Sequence, residues 1–377
     1  MIRNILDLPD LLIKKGLPFV IYSLPESGTR KLIFQKDHTT KHIEILEIKK
    51  AHGFVIADFE SAKSGIADII KPDFILSEFD NIDNAVKFLH SLPDIGDYNF
   101  KDNTYISKSN YLDKAEFFIN KLKEEELQKA VLSRVIKKEL EKKLDTYKLL
   151  KLLMEKYNNA FVYLFHIPNK GTWCGASPEI LTKSIDENII IDALAGTRLI
   201  NKGDNKLPNF TNQDVSPSWS LKEKEEQHYV TLYIESLLSE LQIDNYELSD
   251  PITVTAGNLA HIQTKFKIPT SAVDSKIGKL IAGLHPTPAV CGLPKAEAFL
   301  LIQKAELHSR RYYTGFLGPW NMDSESQLFV NLRCAELDTD KVNIYVGGGL
   351  TAASNPEAEY QETVHKSQTL LSVIDNL

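Results

Sequence analysis

The chain has 377 residues, of which 43% are hydrophobic and 25% are charged, a composition typical of a globular protein with a large buried core. Lysine and arginine number 44 and aspartate and glutamate 51, a formal net charge of −7, which argues against nucleic acid or an anionic membrane as the main partner. Three isolated cysteines exclude zinc ribbons and disulfide frameworks and indicate a reducing compartment. No signal-peptide core and no apolar stretch of membrane length occur, so we expect a cytoplasmic protein.

The first hundred residues contain short β-branched and aromatic runs, at 19–22, 31–34 and 54–57, that are typical of strands. A helix is predicted at 82–92. The polar, aperiodic stretch 94–110 is the best candidate for a connection between two parts. We therefore expect a β-rich N-terminal part, residues 1–110, and a second region, residues 111–377, within one continuous structural domain.

The second region mixes helical and extended patterns. Helices are predicted at 111–127, 146–157, 221–241, 295–306 and from residue 356 onwards, and strands at 130–136, 161–165, 180–181, 189–194, 261–268, 330–337 and 342–346. Strands that succeed one another without regular helices between them favour large antiparallel sheets flanked by helices, which is an α+β architecture. The absence of a Gly-x-Gly-x-x-Gly or P-loop motif weakens any nucleotide-binding interpretation.

The last predicted helix carries possible ligands for a cation. Glu359, Glu362 and Lys366 are spaced three and four residues apart and so share one face, although a solvated face is the alternative interpretation. The small residues at 347–354 let the backbone approach a ligand closely, and backbone N–H groups there could bind an anion. Carboxylates beside an anion suggest a bridging divalent cation.

The predicted helix at 221–241 begins with a charge run at 222–228. Most of these side chains must face solvent, but one inward-turned carboxylate could meet Glu362 across a cleft. Two carboxylates would leave positions for water and substrate, as Mg²⁺ prefers.

Two further residues, Glu179 and Lys129, are charged side chains at the start of apolar strands. Glu179 follows small residues and Pro178 and enters an apolar strand, where desolvation would raise its pKa and make it a general acid. An exposed turn is the alternative. Lys129 begins a strand with a buried pattern and could act as a base if desolvated, whereas a lysine that reaches out to solvent is the alternative.

Seven segments, in order, resemble the motifs of the chorismate-utilising enzymes, the family that includes anthranilate synthase component I. They are Lys-Ala-Val-Leu-Ser-Arg at 129–134, Gly-Ala-Ser-Pro-Glu at 175–179, Ala-Gly-Thr-Arg at 195–198, His-Pro-Thr-Pro-Ala at 285–289, Tyr-Thr-Gly at 313–315, Asn-Leu-Arg-Cys-Ala at 331–335, and the stretch 347–366. The resemblance extends from about residue 112 to the end. It implies the aminodeoxychorismate synthase-like fold of that family, with large antiparallel sheets flanked by helices.

A few positions carry implications about the reaction. Relatives that deliver ammonia typically have glutamine where this chain has Lys129, so the resemblance implies attack by water and no glutamine amidotransferase partner. Ala195 stands where aminodeoxychorismate synthases carry lysine. Ala289 stands where salicylate synthases tend to have threonine. These residues imply an isochorismate synthase activity that supplies menaquinone or catechol siderophore synthesis. Salicylate synthase, which adds pyruvate elimination, is the alternative, and a monomer is the default expectation.

The resemblance also implies roles in the site. Lys129 would deprotonate water as it attacks C2 of chorismate, and Glu179 would protonate the departing C4 hydroxyl. Glu226 and Glu362 would hold Mg²⁺, with Glu359 as a contact through water and Glu225 as a close competitor of Glu226. The residues expected to bind the substrate are Gly196, Thr197, His285, Ala289, Tyr313, Arg333, Gly347, Gly349 and Lys366.

Overall fold

The computed structural model describes residues 2–95, 104–124, 127–199, 219–256, 259–322 and 326–377, with the backbone alone at 197–199, 222, 255, 256 and 259. Its α-helices, α1 to α10, are Pro9–Lys14, Ser61–Ser64, Asp83–Ser91, Lys108–Glu124, Thr146–Lys156, Leu221–Glu240, Thr270–Val273, Ile277–Leu284, Lys295–Ala305 and Pro356–Ile374. Two 3₁₀ helices cover Ile5–Asp7 and Ile45–Lys50.

Most of the chain between these helices is extended. Strands β1 to β10 are Phe19–Ser23, Arg30–Phe34, Lys41–Glu44, Gly53–Ala57, Ile66–Ile70, Phe74–Ser77, Lys129–Glu139, Phe161–Ile167, Gly171–Ser177 and Ile180–Ile185. Strands β11 to β19 are Asn188–Leu199, Glu247–Leu248, Ile252–Ala256, Leu259–Pro269, Gly292–Leu293, Phe316–Trp320, Ser326–Val330, Cys334–Leu337 and Lys341–Leu350.

The strands form two large sheets, in which the neighbours of the described chain pair antiparallel. The nine-stranded sheet has the order β15-β7-β19-β18-β9-β8-β1-β2-β6. The ten-stranded sheet has the order β12-β14-β11-β10-β17-β16-β4-β5-β3, with β13 added beside β14. This confirms the predicted α+β class. The first ninety-five residues supply strands to both sheets.

The two sheets pack face to face, and helices cover their outer faces. Along β1, Phe19 and Ile21 face the helices, whereas Val20 and Tyr22 face the other sheet. This alternation follows from the two-residue period of a strand, and it buries both faces. Trp173 and other aromatic side chains fill the space between the sheets.

Amphipathic helices bury their apolar stripes against the sheets. Helices α1, α3, α5 and α10 cover the nine-stranded sheet, and α6 and α8 cover the ten-stranded sheet. Helix α10 starts where the sequence predicts, with Asn355 as N-cap accepting a hydrogen bond from the Ala358 N–H at 3.0 Å. None of the helices in the described chain is long and apolar enough to cross a lipid bilayer.

Two expectations about strands are wrong. The single strand predicted at 330–337 is two strands: β17 ends at Val330 in the ten-stranded sheet, and β18 begins at Cys334 in the nine-stranded sheet. Arg333 between them has a φ of +50°, a left-handed conformation that ends a strand sharply. The glycine run expected to form an anion-binding loop instead lies in β19, where Gly347 pairs with Ser133 and Gly349 with Val131 of β7.

A second crossing between the sheets lies beside the first. Strand β9 belongs to the nine-stranded sheet and β10 to the ten-stranded sheet, and Pro178 and Glu179 connect them. The two crossings are hydrogen-bonded to each other, because the Val330 N–H donates to the Glu179 carbonyl at 3.0 Å and the Ala176 N–H donates to the Arg333 carbonyl at 3.2 Å. Glu179 and Arg333 are therefore held at one junction between the sheets.

Candidate active site

A cavity of about 260 Å³ lies at this junction, enclosed by both sheets and by α6 and α10. Its volume suits a small metabolite rather than a large cofactor. The predicted site residues that line it are Lys129, Glu179, Gly196, Glu226, Ala289, Tyr313, Arg333, Gly347, Gly349, Glu359, Glu362 and Lys366. Residues far apart in sequence thus meet in one place.

Lys129 occupies one wall of the cavity, at the first position of β7. Its strand pairs with β15 on one side and β19 on the other, and Gly349 lies diagonally across from it on the same face. A Cβ atom at Gly349 would lie 2.6 Å from Lys129 Cε. Glycine there leaves room for the lysine side chain, whose ammonium makes no hydrogen bond or ion pair to the described residues.

Glu179 occupies the junction, with only 8% of its surface exposed. Burial raises the pKa of its carboxyl to about 7, although the positive charges of Lys129 and Arg333 oppose the shift. The Thr287 hydroxyl donates a long hydrogen bond to Glu179 Oε1 at 3.5 Å. A carboxyl that is half protonated near neutral pH suits a general acid.

Cations and an acid share the side of the cavity formed by α10. Lys366 Nζ donates to the Gly347 carbonyl at 3.0 Å and lies 2.5 Å from Glu362 Oε1. The charge of Lys366 holds the pKa of Glu362 below its ordinary value. Arg333 lies close enough to both acids to oppose the burial-driven rise in the pKa of Glu179 and to contribute to the lowered pKa of Glu362. Two cationic groups in one small cavity favour an anionic ligand.

The remaining acids come from the N-terminal ends of α6 and α10. Glu226 is half-buried and lines the cavity, whereas Glu225 is exposed and is not part of the lining. Glu223 accepts a hydrogen bond from the Ser220 N–H at 2.8 Å, which caps the helix. The buried carboxylate of Glu359 accepts one from Ser354 Oγ, also at 2.8 Å.

These oxygen donors fit Mg²⁺ rather than a softer metal, because carboxylates are hard ligands. Within the described residues, no group of three or more histidine, cysteine, aspartate or glutamate side chains is placed to hold a metal ion. Two carboxylates supplemented by water and ligand oxygens suit Mg²⁺, which usually keeps several waters.

One predicted substrate-binding residue, His285, does not line the cavity, and another, Thr197, is described by its backbone alone. The ring of His285 is 2% exposed, packs edge-on against Phe316, and directs Nε2 to the Asp58 carbonyl at 3.1 Å. Burial lowers its pKa to about 3, so it is neutral. The side chain of Thr197 lies outside the described residues.

Sequence reasoning missed His261, which also lines the cavity. A β-bulge in β11 gives Gly196 a φ of +68°, and the Gly196 carbonyl lies 3.1 Å from His261 Nδ1. Burial and the nearby Arg333 lower the pKa of His261 to about 4, so its ring is neutral. The sequence contains only a weak indication of this role, because His261 is a single histidine near the start of a strand with an alternating pattern. Its position opposite the Ala-Gly-Thr-Arg segment follows only from the pairing of β11 with β14.

Comparisons with known proteins agree with this geometry. Residues 66–375 match the family described as chorismate binding enzyme. The chain is 30% identical over 250 residues to the isochorismate synthase EntC of Escherichia coli K12, a match that covers 66% of this chain and 62% of that protein. It is 27% identical over 246 residues to the vibriobactin-specific isochorismate synthase of Vibrio cholerae, covering 65% and 62%. The chain thus spans less than two thirds of the length of these relatives.

Solved structures show the same fold. The menaquinone-specific isochorismate synthase MenF of Escherichia coli superposes with a TM-score of 0.74 at 19% identity, covering 97% of this chain and 91% of that one. Anthranilate synthase component I of Streptococcus pneumoniae superposes with a TM-score of 0.64 at 14% identity, covering 93% and 89%. Because the family match extends from residue 66 to residue 375, most of its length, the chain belongs to the chorismate binding enzyme family.

Proposed function

We propose that this protein is an isochorismate synthase, which converts chorismate to isochorismate by adding water at C2 with loss of the C4 hydroxyl. The observation that carries the proposal is that Lys129 and the half-protonated Glu179 line the same small cavity. Relatives that carry this activity by name support it.

In the proposed reaction, the amine of Lys129 takes a proton from water as the oxygen attacks C2. Glu179 gives its proton to the departing C4 hydroxyl, which leaves as water. As the oxygen bonds to C2 and the C4–O bond breaks, both ring double bonds shift by one position, from C1=C2 and C5=C6 to C6=C1 and C4=C5. Substrate and product are therefore isomers, and atoms and charge balance. Burial of Glu179 keeps its proton available near neutral pH.

The substrate carries two carboxylates, and Arg333 and Lys366 are the cations available to bind them. Glu226 and Glu362 would hold Mg²⁺, with Glu359 acting through water. When bound, Mg²⁺ supplies positive charge that fixes a substrate carboxylate. Tyr313 and the glycines of β19 shape the wall beside it.

The protein is further proposed to act as a monomer in the cytoplasm without a glutamine amidotransferase. Lys129 supports the use of water rather than ammonia. The three cysteines, Cys174, Cys291 and Cys334, are buried and unpaired, which supports a reducing compartment.

The test is an assay of the purified protein with chorismate and Mg²⁺, in the absence of ammonia and glutamine. We expect chorismate and isochorismate to interconvert from either side, as followed by chromatography, and the Lys129→Ala protein to serve as the inactive control. Stoichiometric pyruvate with salicylate would assign the protein as a salicylate synthase instead. Formation of anthranilate or aminodeoxychorismate on addition of ammonia would contradict the interpretation of Lys129.

A further inference from the structure

A proton must return to Glu179 after every turnover of the proposed reaction. The step leaves Lys129 protonated and Glu179 ionised, so each group must exchange one proton with solvent before the next substrate reacts. Lys129 is half-buried, whereas Glu179 is 8% exposed. When substrate or product fills the cavity, solvent reaches Glu179 from that side poorly.

A second, smaller void lies beside Glu179, and none of the described residues of Lys129's strand lines it. This rear void has a volume of about 10 Å³, and it is lined by Glu179, Asp192, Thr287 and apolar side chains of β10, α6 and α8. That volume is enough for about one water molecule. Strands β10 and β11 are paired from the cross-strand pair of Lys183 and Ile190 to the turn that connects them. The void lies at the other end of β10, where Glu179 precedes the strand.

The polar atoms around the rear void suit a bridging water. Asp192 Oδ1 is buried and has no hydrogen-bond partner among the described residues. Thr287 Oγ1 is 3.5 Å from Glu179 Oε1, longer than an ordinary hydroxyl–carboxylate hydrogen bond. A buried water typically joins two to four such groups.

Asp192 also reaches the surface. It is half-buried as a residue and pairs directly across the sheet with Lys265, which is exposed. Burial raises the pKa of Asp192, and the nearby Lys265, Lys183 and Gln263 oppose that rise. Lys129 and Arg333 face Glu179 from the other side, and Thr287 and Asp192 complete its surroundings.

We propose that Asp192 and one water molecule in the rear void return the proton to Glu179 after each turnover. This proposal rests on the proposed function. Asp192, protonated from solvent, gives its proton to the water while the water gives one of its own to the Glu179 carboxylate. The water is unchanged, Asp192 becomes ionised, and solvent protonates it again. The ionised Asp192 also raises the pKa of Glu179.

The experiment compares Asp192→Asn with the wild-type enzyme, using chorismate and Mg²⁺. We expect kcat to fall about tenfold, less than the roughly 10²–10⁴-fold of a general acid–base group that acts on the substrate itself, with KM within about twofold. The alkaline limb of the kcat profile should move to lower pH, because removal of the negative charge lowers the pKa of Glu179. Asp244→Asn, a change of the same chemistry at an exposed position, should alter neither quantity.

Chemical rescue sharpens the test. Asp192→Ala leaves space for a small carboxylic acid, and added formate should restore kcat in proportion to its concentration, while chloride at equal ionic strength should not. If Asp192→Asn does not fold, Asp192→Ser takes its place with the same readouts. A kcat within twofold of wild type, or an alkaline limb that does not move, overturns the proposal.

A stability readout separates this proposal from the proposed function. The pH at which the gap in unfolding free energy between wild type and Glu179→Gln stops widening reports the folded-state pKa of Glu179 without any turnover. In the Asp192→Asn background that pH should be lower and the gap smaller. If the wild-type protein makes no isochorismate, the proposed function fails, and an unchanged gap then overturns the electrostatic interaction between Asp192 and Glu179 as well.

Discussion

The two sides of the cavity that hold Lys129 and Glu179 are built differently. Lys129 lies on a strand that is hydrogen-bonded to β15 and β19, and its side chain extends over a glycine. Glu179 lies where the chain leaves one sheet for the other, packed beside the similar crossing at Arg333. A regular strand orients a side chain while leaving it accessible. A crossing between packed sheets buries a polar side chain, and burial is what raises the pKa of Glu179.

The largest effect should come from removing the group on the regular strand. Lys129→Ala should lower kcat by about 10²–10⁴-fold, since no other base replaces it, with substrate affinity much less affected. Steady-state kinetics of the purified variant measure this. Lys138→Ala, on the same strand but outside the cavity lining and paired with Asp375 at 2.7 Å, should remain within twofold of wild type. Near-normal turnover by Lys129→Ala would mean that another group activates water.

The next effect concerns the helix side of the cavity. Glu226→Gln should reduce Mg²⁺-dependent turnover by roughly 10–100-fold or more, as loss of a group at a metal site does, and excess Mg²⁺ should partly restore it. Glu225→Gln is the matched control, because Glu225 is exposed and outside the cavity lining. Titration of activity with Mg²⁺ after treatment with a chelator distinguishes the two. If Glu225→Gln loses activity and Glu226→Gln does not, Glu225 is the residue of α6 that holds the metal.

A smaller effect tests the glycine opposite the lysine. Gly349→Ala places a Cβ 2.6 Å from Lys129 Cε, so the lysine must move. We expect kcat to fall about tenfold, since misplacement of about 1 Å can cost up to 100-fold, whereas binding of the substrate carboxylates changes little. Measurement of kcat and KM together checks this. Unchanged kcat would show that the base is not held by β19.

The smallest effect is a change in the free energy of unfolding, and it concerns Glu179 at the crossing between the sheets. The folded-state pKa of Glu179 is about 7 against an ordinary 4.5. The stability contributed by its bound proton is therefore present in full below about pH 4.5 and is lost as pH rises through 7. Glu179→Gln cannot ionise, so above pH 7 it should gain up to about 3 kcal/mol in unfolding free energy relative to wild type, compared with pH 5. Urea unfolding from pH 5 to 9 measures the difference.

Glu225→Gln provides the control for this measurement, because an exposed carboxylate should produce parallel stability curves for variant and wild type. Parallel curves for Glu179→Gln would show that Glu179 is not desolvated in solution. Glu179 at the crossing and Lys129 on the regular strand would then be similarly accessible to solvent.

Much of the fold follows from local patterns. The predicted helix at 146–157 and the structural helix Thr146–Lys156 agree because a 3.6-residue apolar period and the Asp145 N-cap act within a few residues. Strands such as β8 follow from runs of aromatic and β-branched residues. Strand β9 was missed, because Gly171–Ser177 contains small residues that have low strand propensity and are held by β8 and β18 instead.

For the site, the sequence alone determined the residue types, the order of the motifs and the shared face of Glu362 and Lys366, because helical spacing is a local property. The tertiary structure decided which acid of α6 faces the cavity, that His285 is packed against Phe316 while His261 lines the site, and that residues 330–337 divide between two sheets. These outcomes depend on strand register and on packing between residues far apart in sequence, such as His285 with Asp58 and Cys334 with Gly175. No local period encodes such contacts, because each is selected by the free energy of the whole assembled core.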